Sequence, residues 1–169
     1  GSHAFCTDGE ARAWRAADAR LSVDLGDDGA GYALGREVRR ESGQLRDALP
    51  SLGAGLDAYR RDLRRLVAAG RDAGGAIVLV TQPALWDESL PSDLRRLLWM
   101  GKADETHEDG TRAYYSPGAL ADGLSRYNEV LLQICEEESL HCIDLANDLP
   151  RDTSVFYDDL HFNESGARL

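Results

Sequence analysis

Cysteine is scarce in this chain of 169 residues: three are present, with a single methionine and five prolines. Cys6, Cys135 and Cys142 do not have the spacing of a metal-ligand set, so no metal site is expected from them. They read as buried thiols, with a Cys135–Cys142 disulfide as the less favoured alternative and an oxidising compartment as its corollary. No apolar run approaches the roughly 18 residues of a membrane-spanning helix, so no membrane span is expected. Positive charge is also short. With 19 Lys and Arg against 30 Asp and Glu, the net charge of −11 disfavours phosphate backbones and anionic lipid surfaces as partners and argues against nucleic-acid binding. What is present is a hydrophobic fraction of 43%, which at this length lets a single domain bury a substantial core.

Gly1-Ser2-His3 reads as the remnant of a cleaved purification tag and is assigned to no expected element. Residues 4–55 carry the weakest pattern and are read as an N-terminal insertion of helix and loop. Polar helices are expected over 10–20 and 36–49, separated by a turn-rich loop over 24–31. From residue 56 the pattern sharpens. Leu56, Tyr59, Leu63, Leu66 and Val67 follow helical spacing, while Arg60, Arg61, Arg64 and Arg65 occupy a solvated face. Ala76-Ile77-Val78-Leu79-Val80-Thr81 is a short, almost wholly apolar run, suited to a parallel strand covered on both faces. A short helix is expected over 91–99. Ser116-Pro117 then supplies an N-cap followed by proline at the first helical position. Leu120, Leu124, Tyr127, Leu131 and Ile134 mark a long amphipathic helix behind it, a second short strand falls at 142–145, and Asn163 opens a last helix. Helix and strand alternate as in an α/β sandwich built on a parallel sheet.

The most informative chemistry lies near the end of the chain, in Tyr157-Asp158-Asp159-Leu160-His161-Phe162. A neutral imidazole can take a proton from a hydroxyl nucleophile, and a fixed carboxylate selects its tautomer and stabilises the imidazolium that forms. The bland alternative is a histidine that packs beside Phe162 and bonds only locally. Asp104-Glu105-Thr106-His107 repeats the Asp-x-x-His spacing, but its setting, a glycine-bounded acidic run, reads as a solvated loop. Working residues of open α/β sheets gather beyond the carboxyl ends of the strands. Gln82 ends the first strand on that rim and is a candidate substrate contact, with a turn-forming role as the alternative. Trp86, Trp99 and Tyr114 read first as packing groups.

Taken in order, Ile77-Val78-Leu79-Val80-Thr81-Gln82-Pro83, Tyr127-Asn128, Ile143-Asp144-Leu145, the Asp158 to His161 block and Ser165-Gly166-Ala167 resemble the C-terminal part of an SGNH (GDSL-type) hydrolase, over residues 56–169. The resemblance implies a three-layer α/β/α sandwich with a parallel sheet, flavodoxin-like and incomplete at its N-terminus. It also implies a serine esterase or related acyl hydrolase acting on an ester of a small molecule, lipid or acetylated sugar, without metal or organic cofactor. Within it His161 is the catalytic base and Asp158 the orienting acid. Asp159 is the rival carboxylate, but an i−3 side chain can reach back to the imidazole, whereas an adjacent pair of acids tends to leave one facing solvent. The family's Gly-Asp-Ser and Gly-x-Asn-Asp blocks do not occur here; Gly26-Asp27-Asp28 imitates the first with aspartate in place of serine. The nucleophile and oxyanion donors are therefore expected outside this chain. A binding or scaffolding module that kept the fold without the chemistry is the alternative.

Overall fold

The structure, a computed structural model, describes residues 28–43, 45–106 and 112–169. Cys6, Gly26, Asp27, His107 and the expected helix over 10–20 lie outside them. The first helix, α1 (Asp28–Arg40), replaces the helix expected over 36–49 and takes in part of the expected loop. It stops where Ser42 Oγ donates to the Arg39 carbonyl (2.7 Å) and Gly43 turns the chain at a φ of 70°. Local hydrogen-bonding residues and glycine end a helix in this way.

Helix α2 (Gly53–Asp72), strand β1 (Val78–Val80), helix α4 (Pro117–Glu137) and strand β4 (His141–Ile143) form the layered part of the molecule. Ser116 caps α4 by accepting from the Ala119 N–H at 3.2 Å, with Pro117 at the first turn, as the sequence pattern requires. Strands β1 and β4 are parallel neighbours, with Leu79 opposite Cys142, and both are shorter than expected. Residues 145–148 turn into a short helix, α5 (Leu145–Asp148), because Thr81 draws the chain over. Its hydroxyl donates to Asp144 Oδ1 and accepts the Ala146 N–H, each at 2.9 Å.

Helices α2 and α4 pack on one face of this sheet. Leu79, Leu131, Ile134 and Cys135 form the core there, with Tyr59 and Leu63 of α2 against them. Leu66, expected on the same buried stripe, is 57% exposed; the adjacent Val67 is buried instead. The α2 arginines do not form a free cationic face: Arg60 and Arg64 both pair with Glu137 of α4. A disulfide joins Cys135, near the end of α4, to Cys142 of β4 across 6.2 Å between Cα atoms. The expected free thiols are thus corrected: the turn at 138–140 brings both side chains into one core.

The opposite face of the sheet is largely open among the described residues. Val78, Val80 and Ile143 are 49%, 42% and 41% exposed there. Two-sided coverage, inferred from the apolar run, is therefore not met among the described residues. What they establish is a mixed α/β fold holding a parallel sheet of two strands.

A second pair of strands, β2 (Lys102–Thr106) and β3 (Arg112–Tyr114), is antiparallel and occupies the region expected to be a solvated acidic loop. Ala103 is buried between exposed Lys102 and Asp104, and Ala113 is buried in the middle of β3, so inward alanines help to seat the ribbon. The connecting segment around 91–99 contains one helical turn, α3 (Ser92–Arg95). A second core, made of Leu85, Leu90, Leu98, Val155 and Phe156, supports the loop described next.

Candidate active site

The Asp158 to His161 loop is closed upon itself. Phe156 and Phe162 form an antiparallel bridge, the Tyr157 N–H donates to the His161 carbonyl at 3.0 Å, and the Asn163 N–H donates to the Val155 carbonyl at 2.9 Å. Asn163 Oδ1 then accepts the Ser165 and Gly166 N–H groups at 2.9 Å, opening not the full helix expected but a 3-10 turn over Gly166–Arg168. This closure returns the Asp158 side chain to its own loop. Asp158 Oδ1 accepts the Leu160 N–H at 3.0 Å and the His161 N–H at 2.9 Å.

His161 Nδ1 lies 2.9 Å from Asp158 Oδ2 and 3.0 Å from Oδ1. The Asp158 side chain has 0% exposure, whereas that of His161 is 52% exposed. The buried acid therefore holds one ring nitrogen, and the ring is open enough for Nε2 to meet an incoming hydroxyl. Burial acts to raise the Asp158 carboxyl, but the His161 ring, the two main-chain N–H groups and the Trp99 indole together hold it below the ordinary carboxyl range. The acid is kept ionised, as required of a partner to an imidazolium.

Asp159 corrects the expectation that one of two adjacent acids faces solvent. It is also fully buried. Its Oδ1 accepts the Trp86 indole N–H at 2.8 Å, while Oδ2 accepts the Trp99 N–H at 2.7 Å and the Met100 N–H at 3.4 Å. Burial nevertheless dominates and raises its carboxyl above the ordinary range. Asp159 therefore fixes the connecting segment, and Asp158 alone of the two reaches the imidazole.

Three residues that pattern reading treats as packing, or passes over, belong to this site. Trp99 Nε1 donates to Asp158 Oδ2 at 3.0 Å. Trp86 holds Asp159. Tyr32 of α1 sets its ring edge-on to both Trp99 and His161, with centroids 5.1 and 6.1 Å away. The single sequence signal of the two tryptophans is that a buried indole N–H needs an acceptor, which points to no particular acid, and Tyr32 carries none.

Gln82 sits at the end of β1, where its N–H donates to Asn128 Oδ1 and its carbonyl accepts from Asn128 Nδ2, both at 2.9 Å. Its side chain donates to the Pro83 carbonyl. It lines a cleft of about 240 Å³ with Trp86, Asn128, Asp144, Asn147 and Arg151. His161 and Asp158 do not line that cleft, so the structure does not bring Gln82 to the imidazole. The two places are linked by Trp86 and by the Leu85 N–H, which donates to the Asp159 carbonyl at 2.9 Å. Asp104, in the second Asp-x-x-His, is exposed on β2. Among the described residues no group of three His, Cys, Asp or Glu side chains could hold a metal ion, and no helix is long and apolar enough to cross a membrane.

Comparisons with protein-family models, curated proteins and solved structures gave no match. Any functional reading rests on the geometry of the site and on the sequence block that forms it.

Proposed function

We propose that the chain is the C-terminal part of a serine acyl hydrolase of the SGNH type, with His161 as general base and Asp158 as its orienting acid. The observation that carries this reading is the pairing of a fully buried, ionised Asp158 with Nδ1 of a half-exposed His161. With its proton on Nδ1, the imidazole offers a lone pair at Nε2. That nitrogen takes the proton of a serine hydroxyl as the oxygen attacks an ester carbonyl, then returns it to the leaving alcohol. Water repeats the cycle on the acyl-enzyme and releases the acid. The substrate is an ester of a small molecule, lipid or acetylated sugar, and the chemistry calls for no metal or organic cofactor.

The finer fold belongs to the same proposal. The bare sheet face at Val78, Val80 and Ile143 is where further layers and strands of a three-layer α/β/α sandwich would pack, since parallel sheets are covered on both faces. One observation favours a second reading, a binding or scaffolding module without catalysis. Among the described residues, no serine, threonine or cysteine hydrogen-bonds to His161.

A fluorophosphonate probe applied to the protein from its complete reading frame decides between them. The hydrolase reading expects labelling of one serine, abolished by denaturation and strongly reduced in His161→Ala. A folded complete protein that takes no label and cleaves no short-chain ester supports the binding module instead.

A further inference from the structure

We propose that Trp99 is a positioning residue of the acid–base pair, holding through its indole N–H one of the two Asp158 carboxylate oxygens that lie against the imidazole nitrogen. The proposal rests on the hydrolase reading for its use in catalysis, but not for its geometry. The two oxygens of Asp158 are held differently. Oδ1 is fixed by its own loop, through the Leu160 and His161 N–H groups. Oδ2 has no main-chain donor among the described residues; it meets Trp99 Nε1 at 3.0 Å and shares the His161 Nδ1 contact with Oδ1, at 2.9 and 3.0 Å. The loop's own N–H groups set the carboxylate through Oδ1, and the indole adds a donor from outside the loop that holds its other oxygen. A second hold that is itself anchored elsewhere stiffens the carboxylate against rotation when the ring moves or takes up charge.

Trp99 is anchored on three sides. Its main-chain N–H donates to Asp159 Oδ2 at 2.7 Å. The carbonyls on either side of it are gripped by α1: Arg36 Nε donates to Leu97 O at 3.0 Å, and the Arg39 guanidinium donates to Met100 O and, at 2.8 Å, to Tyr115 O. Its ring lies against Gly35, where an added Cβ would come within 3.2 Å of the tryptophan Cβ, and under the edge of Tyr32. Helix α1 thus sets Trp99, Trp99 sets Asp158, and Asp158 sets His161. An N-terminal element that pattern reading treats as an insertion is coupled in this way to the imidazole.

The two indoles provide a test in the unaltered chain. Trp99 Nε1–H reports Asp158, and Trp86 Nε1–H reports Asp159. The other titratable or charged groups about Asp158 are His161, Tyr157 and Asp159 on its own loop, and Tyr32 and Arg36 of α1, the Arg36 guanidinium carbon lying 5.4 Å from the centre of the Tyr157 ring; Arg39 of α1 acts on Asp159. An NMR titration of both indole N–H signals together with the side-chain carboxyl carbons is expected to give two distinct midpoints. The Trp99 indole should follow the Asp158 carbon, below the ordinary carboxyl range, and the Trp86 indole the Asp159 carbon, above it. In Asp158→Asn the Trp99 inflection should vanish and the Trp86 inflection remain. In Trp99→Phe the Asp158 midpoint should move up, and the complete enzyme should lose about tenfold in kcat with little change in KM, as for an interaction made mainly in the transition state. A Trp99 indole signal that ignores Asp158 overturns the proposal even if Trp99→Phe fails to fold, and so does an unmoved Asp158 midpoint in a folded Trp99→Phe. If the coupling is present but the complete protein cleaves no ester, the positioning stands and the hydrolase reading falls.

Discussion

Asp158 and Asp159 are neighbours in sequence, both closed to solvent, and shifted in opposite directions: burial is outweighed at Asp158 by hydrogen bonds from the His161 ring, the loop N–H groups and Trp99, whereas it prevails at the more deeply set Asp159. For Asp158 the folded carboxyl titrates below the unfolded value of 3.8, so ionisation adds stability above that pH. That contribution is lost as pH falls through the folded value. Wild type is therefore expected to exceed Asp158→Asn in stability at pH 6, with the gap closing as the pH drops below the ordinary carboxyl range; urea melts across that interval measure it. Asp159 has the reverse sign, its contribution being fully present below the unfolded value and lost as pH rises through the raised folded one. The i−3 relation of Asp158 to His161 was legible in the sequence because it is made inside one tight loop. The donors were not, because Trp99 and Trp86 arrive from 59 and 73 residues away and nothing local marks them.

Elements whose signals are local came out of the sequence well. Ser116-Pro117 opens α4 where cap chemistry places it; Asn163 does turn the chain with its side-chain oxygen, but a 3-10 turn and not the expected helix follows it. Elements fixed by distant partners did not. The β2–β3 ribbon is largely polar and seated by buried alanines, so no run of large apolar residues announced it. The Cys135–Cys142 bridge depends on β4 lying beside the end of α4, which spacing alone does not reveal. Two predictions belong here. Replacing both cysteines by serine should cost about 2–3 kcal/mol, the order given by loop-closure entropy for so short a ring, and reductant should lower wild type but not the variant. Gly166→Ala should also destabilise, since its Cβ would strike the Val155 carbonyl oxygen and prise open the loop that carries His161. A thermal melt equal to wild type would show that this closure yields freely.

Across the whole molecule, the two faces of the β1–β4 sheet differ in kind. Leu79 points into the α2–α4 core, so Leu79→Ala should cost about 2–5 kcal/mol. Val78 is on the bare face, and Val78→Asp should cost less than about 1 kcal/mol in this chain. In the complete protein, the proposed sandwich would bury that position and make the same change severe; denaturant melts of both forms compare them. The mixed α/β character was visible in the alternation of elements, but the open face was not, because an apolar strand reads the same whether or not its cover is present.

The central claim is that His161, and not the histidine of the similarly spaced pair at residues 104–107, is the base. Steady-state ester hydrolysis by the complete protein is the direct measurement, comparing wild type with His161→Ala, Asp158→Asn, His107→Ala and Asp104→Asn. We expect kcat to fall by about four to six orders of magnitude for His161→Ala and severely for Asp158→Asn. The changes at residues 104 and 107 should stay within about threefold, as expected away from the chemistry. Equal losses at His107 and His161, or no loss at His161, would contradict the account.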